Sequence, residues 1–248
     1  MGGKGKDLLL SMGRFLRNVK EEEGEIETGK GSIMRERQTQ IRKINYFDEL
    51  LKDTSDLQTK NYLESFKVKL DFVGYYLDNY EDGIKKYNTP FSEHDIALVL
   101  KANAEAIIFS IKSLLDCLAN FLYKRFDLKL DKVYFNRQLA RKLGKDKTHK
   151  EKDIKQKVSE IIEQFLDDND YFFELRNLMA HNTVVKVDYS VELPASKIKA
   201  SFQNLPKIKN IPSNLEISAY SNNMIDKIYC LSESIFEEIL GKKISHKE

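Results

Sequence analysis

Hydrophobic residues recur at intervals of three and four along most of the chain, which is the pattern of helices that bury one face. Helical periodicity begins near Ile33 and continues to Leu51, and a second stretch covers residues 57–87. A third stretch covers residues 93–126 and carries an apolar stripe that no Gly or Pro interrupts. The stripe consists of Ile96, Leu100, Ala104, Ile107, Ile111, Leu114, Leu118, Phe121 and Leu122. At 1.5 Å per residue, a helix of about 30 residues is about 45 Å long, and we expect it to be the spine of a helical bundle.

Four shorter helices are predicted after the long one. They cover residues 134–143, 150–166, 171–181 and 214–240. Between the last two, from about 184 to 202, apolar and polar residues alternate with a period of two, which is typical of half-buried strands. The predicted fold class is therefore mostly α, a helical bundle with a small β-hairpin before the last helix.

The first part of the chain differs from the rest in composition. Residues 1–30 are rich in Gly, Lys and Glu and show little periodicity, which indicates a flexible N-terminal extension. No internal repeat and no linker-like segment interrupts the remainder. Residues 31–248 are therefore predicted to form a single domain.

The composition excludes several classes of protein. The 248 residues are 41% hydrophobic and 32% charged, with two cysteines, Cys117 and Cys230, and no CxxC motif. Two cysteines cannot make a disulfide framework or a four-ligand zinc site. The longest unbroken apolar run, 96–100, is far shorter than the roughly 20 residues of a membrane-spanning helix. We therefore expect a cytoplasmic protein with no membrane association, no metal and no cofactor.

The net charge of +2 conceals a basic segment. Residues 124–157 contain 13 Lys and Arg against 5 Asp and Glu, a charge of +8, so the rest of the chain carries −6. Tyr134 and Phe135 lie within this segment, as they would in a surface that binds phosphates and stacks bases. The candidate RNA-binding residues are Lys124, Arg125, Arg137, Arg141, Lys142 and Lys145. The alternative is a solvated, lysine-rich connector.

One of the four histidines has a chemically suggestive context. His181 closes the predicted helix 171–181, and Arg176 and Asn177 precede it by five and four residues. Five residues correspond to about 140° around a helix and about 7.5 Å along it, so a long arginine side chain can converge with the imidazole near the helix end.

At these residues the chain resembles the HEPN superfamily, helical domains whose signature is Arg-x4-6-His with a polar residue, often Asn, after the arginine. Arg176, Asn177 and His181 match that signature position by position. The long helix followed by the motif helix is similar to the family's core order, so the resemblance covers about residues 60–240 and implies that the single domain 31–248 is a HEPN-like helical bundle.

The resemblance implies a metal-independent endoribonuclease, often a toxin or a phage-defence effector, that acts as a homodimer with paired motifs across a basic cleft. His181 would be the general acid or base in attack of the RNA 2′-OH on the adjacent phosphate, Arg176 would stabilise the phosphorane, and Asn177 would orient one of these groups. RNA and an antitoxin or regulatory protein are the implied partners. Thr183 stands where some members carry a modified tyrosine, which argues against that form of regulation.

Two polar residues of the long helix are candidates for a supporting role. Asp116 can orient His181 or Arg176 from the neighbouring helix, with Ser113 beside it, or it can simply be an exposed carboxylate.

Other interpretations of the motif stay open at this point. Arg176 can pair with Glu174 or another acid while His181 bonds terminal carbonyl groups of its helix. The chain can also be a non-catalytic HEPN-like module that binds RNA, a nucleotide or a partner protein, or a purely structural dimeric bundle.

Overall fold

The computed structural model describes residues 43–87, 94–145, 151–181, 186–192, 197–203 and 215–241. Seven helices are found within these residues. They are α1 (Phe47–Asp53), α2 (Leu57–Tyr87), α3 (His94–Arg125), α4 (Arg137–Lys145), α5 (Lys152–Asp168), α6 (Asp170–His181) and α7 (Ile217–Leu240). The mostly helical fold with a small antiparallel hairpin before the last helix is confirmed.

The two long helices, α2 and α3, pack against each other along the predicted apolar stripes. On α2 the inward positions follow the expected spacing and are all buried: Leu63, Phe66, Leu70, Val73, Leu77 and Tyr80. On α3 every described stripe residue from Leu100 to Leu122 is fully buried. Near the end of α2, Gly83 lies so close to α3 that an added Cβ would be 2.6 Å from Cδ2 of Leu100. The absence of a side chain at this position therefore allows the close approach.

One aromatic ring of helix α7, that of Phe236, packs against rings of three other helices. The ring centroid of Phe236 lies 6.3 Å from that of Phe47 on α1, 6.3 Å from that of Phe66 on α2, and 6.1 Å from that of Phe121 on α3. Edge contacts at these distances add to the burial of apolar area. Four helices therefore share one aromatic cluster.

The sheet has three strands within the described residues, one more than the sequence predicts. Strands β1 (Lys186–Glu192) and β2 (Lys197–Gln203) form the antiparallel hairpin, and β3 (Leu215–Glu216) pairs with the other side of β2. The last helix was expected from residue 214. It begins at Ile217 because the Glu216 carboxylate accepts hydrogen bonds from the backbone N–H groups of Ser218 and Ala219, which caps the helix there.

Helix α1 also begins later than the sequence pattern indicates. Residues 43–46 are not helical, and Tyr46 has a φ of 63°, a left-handed conformation that is incompatible with continuing a helix through this point. The predicted helical residues 33–42 and the predicted domain boundary near residue 30 lie outside the described residues.

A single asparagine marks the break between α5 and α6. Asn169 is buried; its Nδ2 donates to the carbonyl of Phe165 at 2.8 Å, and its Oδ1 accepts from Nζ of Lys227 on α7 at 2.8 Å. This asparagine therefore ends α5 and ties the start of the motif helix α6 to α7.

One segment of α3 is long and apolar enough to cross a membrane by length and composition. In the segment Leu98–Arg125 the most apolar window has a mean hydropathy of 1.5, and half of that window is buried inside the protein. Because the core helix of a soluble protein has the same properties, this is weak evidence of a membrane span. The cytoplasmic location stays a prediction.

Candidate functional site

An open cavity of about 500 Å³ lies where α3, the start of α4 and α6 meet. We call it the Arg176 cavity. Its lining residues are Lys112, Asp116, Tyr134, Phe135, Asn136, Arg137, Leu166, Asp170, Phe173, Arg176 and Asn177. Of the residues that the sequence singled out, the structure brings six together here: Arg176, Asn177, Asp116, Arg137, Tyr134 and Phe135.

Arg176 is half-buried, and its guanidinium is held by neutral groups. Nη1 donates to Oδ1 of Asn177 at 3.1 Å, and the guanidinium carbon lies over the ring of Phe109, 5.8 Å from the ring centroid. Nε is buried and has no hydrogen-bond partner. Among the described residues no carboxylate forms an ion pair with Arg176, so the alternative pairing with Glu174 is not found there. Its permanent charge is therefore available to an anion in the cavity.

His181 lies apart from the cavity wall. It is the last residue of α6, its side chain is exposed, and it is not among the lining residues. Because Arg176 and His181 are five residues apart on one helix, they face directions about 140° apart. Thr183, the departure from the family pattern, lies outside the described residues.

Asp116 holds the loop that follows α3. Its Oδ1 accepts a hydrogen bond from the backbone N–H of Phe135 at 2.9 Å and forms an ion pair with Lys112. These bonds run to the loop and to α3 itself, not to Arg176 or His181. Ser113 is half-buried and does not line the cavity.

The two aromatic residues of the basic segment have different environments. Phe135 is fully buried, with its ring edge-on to Phe165 at 5.7 Å between centroids. Tyr134 is 50% exposed, and Nζ of Lys112 lies 5.7 Å from its ring centroid. Of the two rings, only that of Tyr134 is accessible to a ligand.

The candidate RNA-binding residues do not form one surface with the cavity. Arg125 makes a bidentate ion pair with Glu151 at 2.8 and 3.0 Å. Arg137 lines the cavity and pairs with Asp167 at 2.6 Å. The other four are exposed and do not line the cavity: Lys124, Arg141, Lys142 and Lys145.

Sequence reasoning missed Lys112 and Phe109, which support the cavity from α3. The available signal was their spacing: Phe109, Lys112 and Asp116 are three and four residues apart and therefore share one face of the helix. Asp170, the first residue of α6, also lines the cavity.

Two ionisable groups near the site are shifted toward their neutral forms. Burial raises the pKa of Tyr171 at the start of α6, where its ring lies 5.6 Å from that of Tyr220 on α7. Burial also raises the pKa of the Cys117 thiol, which follows Asp116. Both groups are therefore uncharged at neutral pH, and Cys117 is a poor candidate for a nucleophile.

The described residues contain no cluster of three or more His, Cys, Asp and Glu side chains that could hold a metal ion. Comparisons with models of protein families, with curated proteins and with solved structures gave no match. The relation to the HEPN superfamily therefore stays a resemblance at Arg176, Asn177 and His181.

Proposed function

We propose that the protein is a metal-independent endoribonuclease of the HEPN type. The observation that carries the proposal is the Arg176 guanidinium, which lines an open cavity and has no carboxylate partner among the described residues. A forked, permanently charged donor in this setting suits a phosphate diester, whose charge grows when the phosphorane forms. Oδ1 of Asn177 accepts a hydrogen bond from Nη1 of Arg176, and this bond fixes the orientation of the rest of the guanidinium.

His181 supplies the proton transfer in this proposal. It lies about 7.5 Å along the axis of α6 from Arg176, at the C-terminal end of the helix. With the scissile phosphate at Arg176, the adjacent 2′-OH would lie toward this end, where the imidazole takes its proton. The 2′-oxygen attacks phosphorus, the 5′-oxygen leaves with a proton, and the product carries a 2′,3′-cyclic phosphate.

The reaction needs a base for the 2′-OH and an acid for the leaving 5′-oxygen. Each chain contributes one motif histidine, and a homodimer with paired motifs would provide both groups. The resemblance alone supports this dimer, the role as a toxin or phage-defence effector, and the existence of an antitoxin or regulatory protein.

The test is cleavage of a mixed RNA substrate in excess EDTA, with analysis of the product ends. We expect 2′,3′-cyclic phosphate or 3′-phosphate ends from the wild type, and a loss of at least about 100-fold in His181→Ala and in Arg176→Ala. Arg141→Ala is the matched control, because Arg141 is an exposed arginine that does not line the cavity. Undiminished cleavage by the His181→Ala protein would exclude this mechanism.

The position of His181 outside the cavity wall favours a second candidate function. In this alternative the protein is a non-catalytic module that binds RNA or a nucleotide at Arg176. It predicts salt-sensitive binding without products, lost in Arg176→Ala and kept in His181→Ala. The nuclease proposal instead predicts that both variants lose cleavage.

A further inference from the structure

Tyr134 is an exposed aromatic ring on a firmly held piece of backbone. The next residue, Phe135, is anchored twice: its N–H donates to Asp116, and its side chain is buried against Phe165. The position of Tyr134 is therefore fixed from one side by core packing. Its side chain nevertheless stays half exposed and lines the Arg176 cavity.

Within the described residues, the Arg176 guanidinium is the part of the cavity best suited to an anion. Lys112 is paired with Asp116, Arg137 makes an exposed ion pair with Asp167, and the Asp170 carboxylate also lines the cavity, whereas the Arg176 guanidinium has no carboxylate partner among the described residues. Lys112 also lies over the Tyr134 ring, which is nevertheless 50% exposed and lines the cavity. A ligand with one phosphate group and one flat aromatic group would contact both the Arg176 guanidinium and the Tyr134 ring.

The size of the cavity agrees with such a ligand. About 500 Å³ falls within the range of about 300–1,000 Å³ that is usual for sites of small molecules. In a duplex the bases are stacked on one another and paired, so the face of a base can reach Tyr134 only where the strand is unpaired.

We propose that the Arg176 cavity binds one unpaired nucleotide of RNA, with its base stacked on Tyr134 and its phosphate at Arg176. This inference rests on the proposed function as far as RNA is the ligand, and it adds a subsite in which Tyr134 stacks on a base. Asp116 is a positioning residue in this arrangement, because it holds the backbone that presents Tyr134.

The experiment measures binding, so that it does not depend on cleavage. The probe is a fluorescent 2′-O-methyl RNA oligonucleotide, which lacks the attacking hydroxyl, presented single-stranded or annealed to its complement. We expect Tyr134→Leu to weaken single-strand binding about 5- to 100-fold and to leave the weaker duplex binding unchanged, whereas Tyr134→Phe binds like the wild type. Tyr75→Leu is the matched control, because Tyr75 is 53% exposed on α2 and does not line the cavity.

Two outcomes would overturn the inference while leaving the proposed function in place. One is single-strand binding by Tyr134→Leu equal to that of the wild type, with binding still lost in Arg176→Ala. The other is an equal loss in Tyr134→Phe and Tyr134→Leu, which would assign the effect to the hydroxyl instead of the ring.

If no protein variant, including the wild type, binds the oligonucleotide, both the inference and the proposed function fail. Thermal unfolding of each variant verifies that the exposed substitution leaves the fold intact.

Discussion

The guanidinium of Arg176 on α6 lies over the ring of Phe109 on α3, with 5.8 Å between its central carbon and the ring centroid. The contact connects the motif helix to the face of α3 that also carries Lys112 and Asp116. A ring face attracts a cation without neutralising it, so this contact orients the guanidinium and preserves its charge. An arginine held by a carboxylate would be equally fixed but would have much less affinity for phosphate.

Replacing Phe109 should therefore affect function more than stability. We expect Phe109→Leu to lower the free energy of unfolding by about 1 kcal/mol or less, since the ring is 36% exposed and a cation–π contact at such sites is worth about 0.5–1 kcal/mol. RNA affinity and cleavage should fall several-fold, because Arg176 loses one of its two supports. Phe109→Tyr, which keeps the ring, should behave like the wild type.

The matched control for Phe109 is on α2. Phe72 is 43% exposed and has Nζ of Lys69 at 5.3 Å from its ring centroid, but it does not line the cavity. Phe72→Leu should change neither RNA affinity nor cleavage. Equal functional losses in the two leucine variants would contradict the role of Phe109.

Asn177 gives a direct test of whether the free charge of Arg176 matters. Asn177→Asp places a carboxylate where Nη1 of Arg176 now donates to an amide oxygen at 3.1 Å. The new ion pair should compete with phosphate, and we expect weaker RNA binding. The slope of log affinity against log salt concentration should become shallower by about 0.7, the value for one lost phosphate contact on a single strand.

The control for Asn177→Asp makes the same charge change in the same cavity. Asn136 lines the cavity, and its Oδ1 accepts from the backbone N–H groups of Gln138 and Leu139 at the start of α4. Aspartate keeps that cap, so Asn136→Asp should fold normally and lower RNA affinity less than Asn177→Asp does. Equal effects would show that only the net charge of the cavity matters.

Substitutions of Asp116 distinguish two roles for this residue. In the structure it holds the loop at Phe135, whereas the sequence also allowed it to orient His181 or Arg176. Its carboxylate bonds to Lys112 and to the N–H of Phe135, and we expect Asp116→Ala to cost about 1–2 kcal/mol in the free energy of unfolding. Asp116→Asn retains an acceptor for Phe135 and should recover part of that loss in urea unfolding. Cleavage by the asparagine variant should also stay close to wild type; its complete loss would instead indicate that Asp116 acts on His181 or Arg176.

The helices could be predicted because their signals are local. The apolar stripe on α2 runs from Leu63 to Tyr80, which is about five helical turns, so the spacing of three and four residues recurs several times within one segment. Strand β3 could not be predicted, since two residues are too short to show a period. The motif residues Arg176 and Asn177 were visible as neighbours in the sequence.

The walls of the cavity could not be predicted because distant contacts decide them. Asp116 bonds to the backbone N–H of Phe135 across 19 residues, at the point where the Phe135 ring is buried and the adjacent Tyr134 ring is half exposed. Ion pairs between distant residues likewise determine which cations of the basic segment are engaged within the protein. A count of charges along the chain records neither effect.

Arg125 and Arg137 both belong to the basic segment, but their contacts differ. The predictions for the two residues are therefore opposite. Arg125 is 25% exposed and pairs with Glu151 through both arms, while Arg137 is exposed at the cavity. We expect Arg125→Gln to lower the free energy of unfolding by about 1 kcal/mol with little effect on RNA affinity, because its charge is already engaged. Arg137→Gln should weaken RNA binding, by less than Arg176→Ala does, and leave stability nearly unchanged, because its pair with Asp167 is solvent-exposed and therefore weak.

A double-mutant cycle assigns the stability effect to the ion pair. Urea unfolding of Arg125→Gln, Glu151→Gln and the double variant should give a coupling energy of about 1 kcal/mol, since each single change removes the same interaction. Arg141→Gln serves as the control for the loss of one positive charge, being an exposed arginine of α4 that does not line the cavity. If Arg125→Gln weakened RNA binding as much as Arg137→Gln, the whole basic segment and not the Arg176 cavity would be the RNA-binding surface.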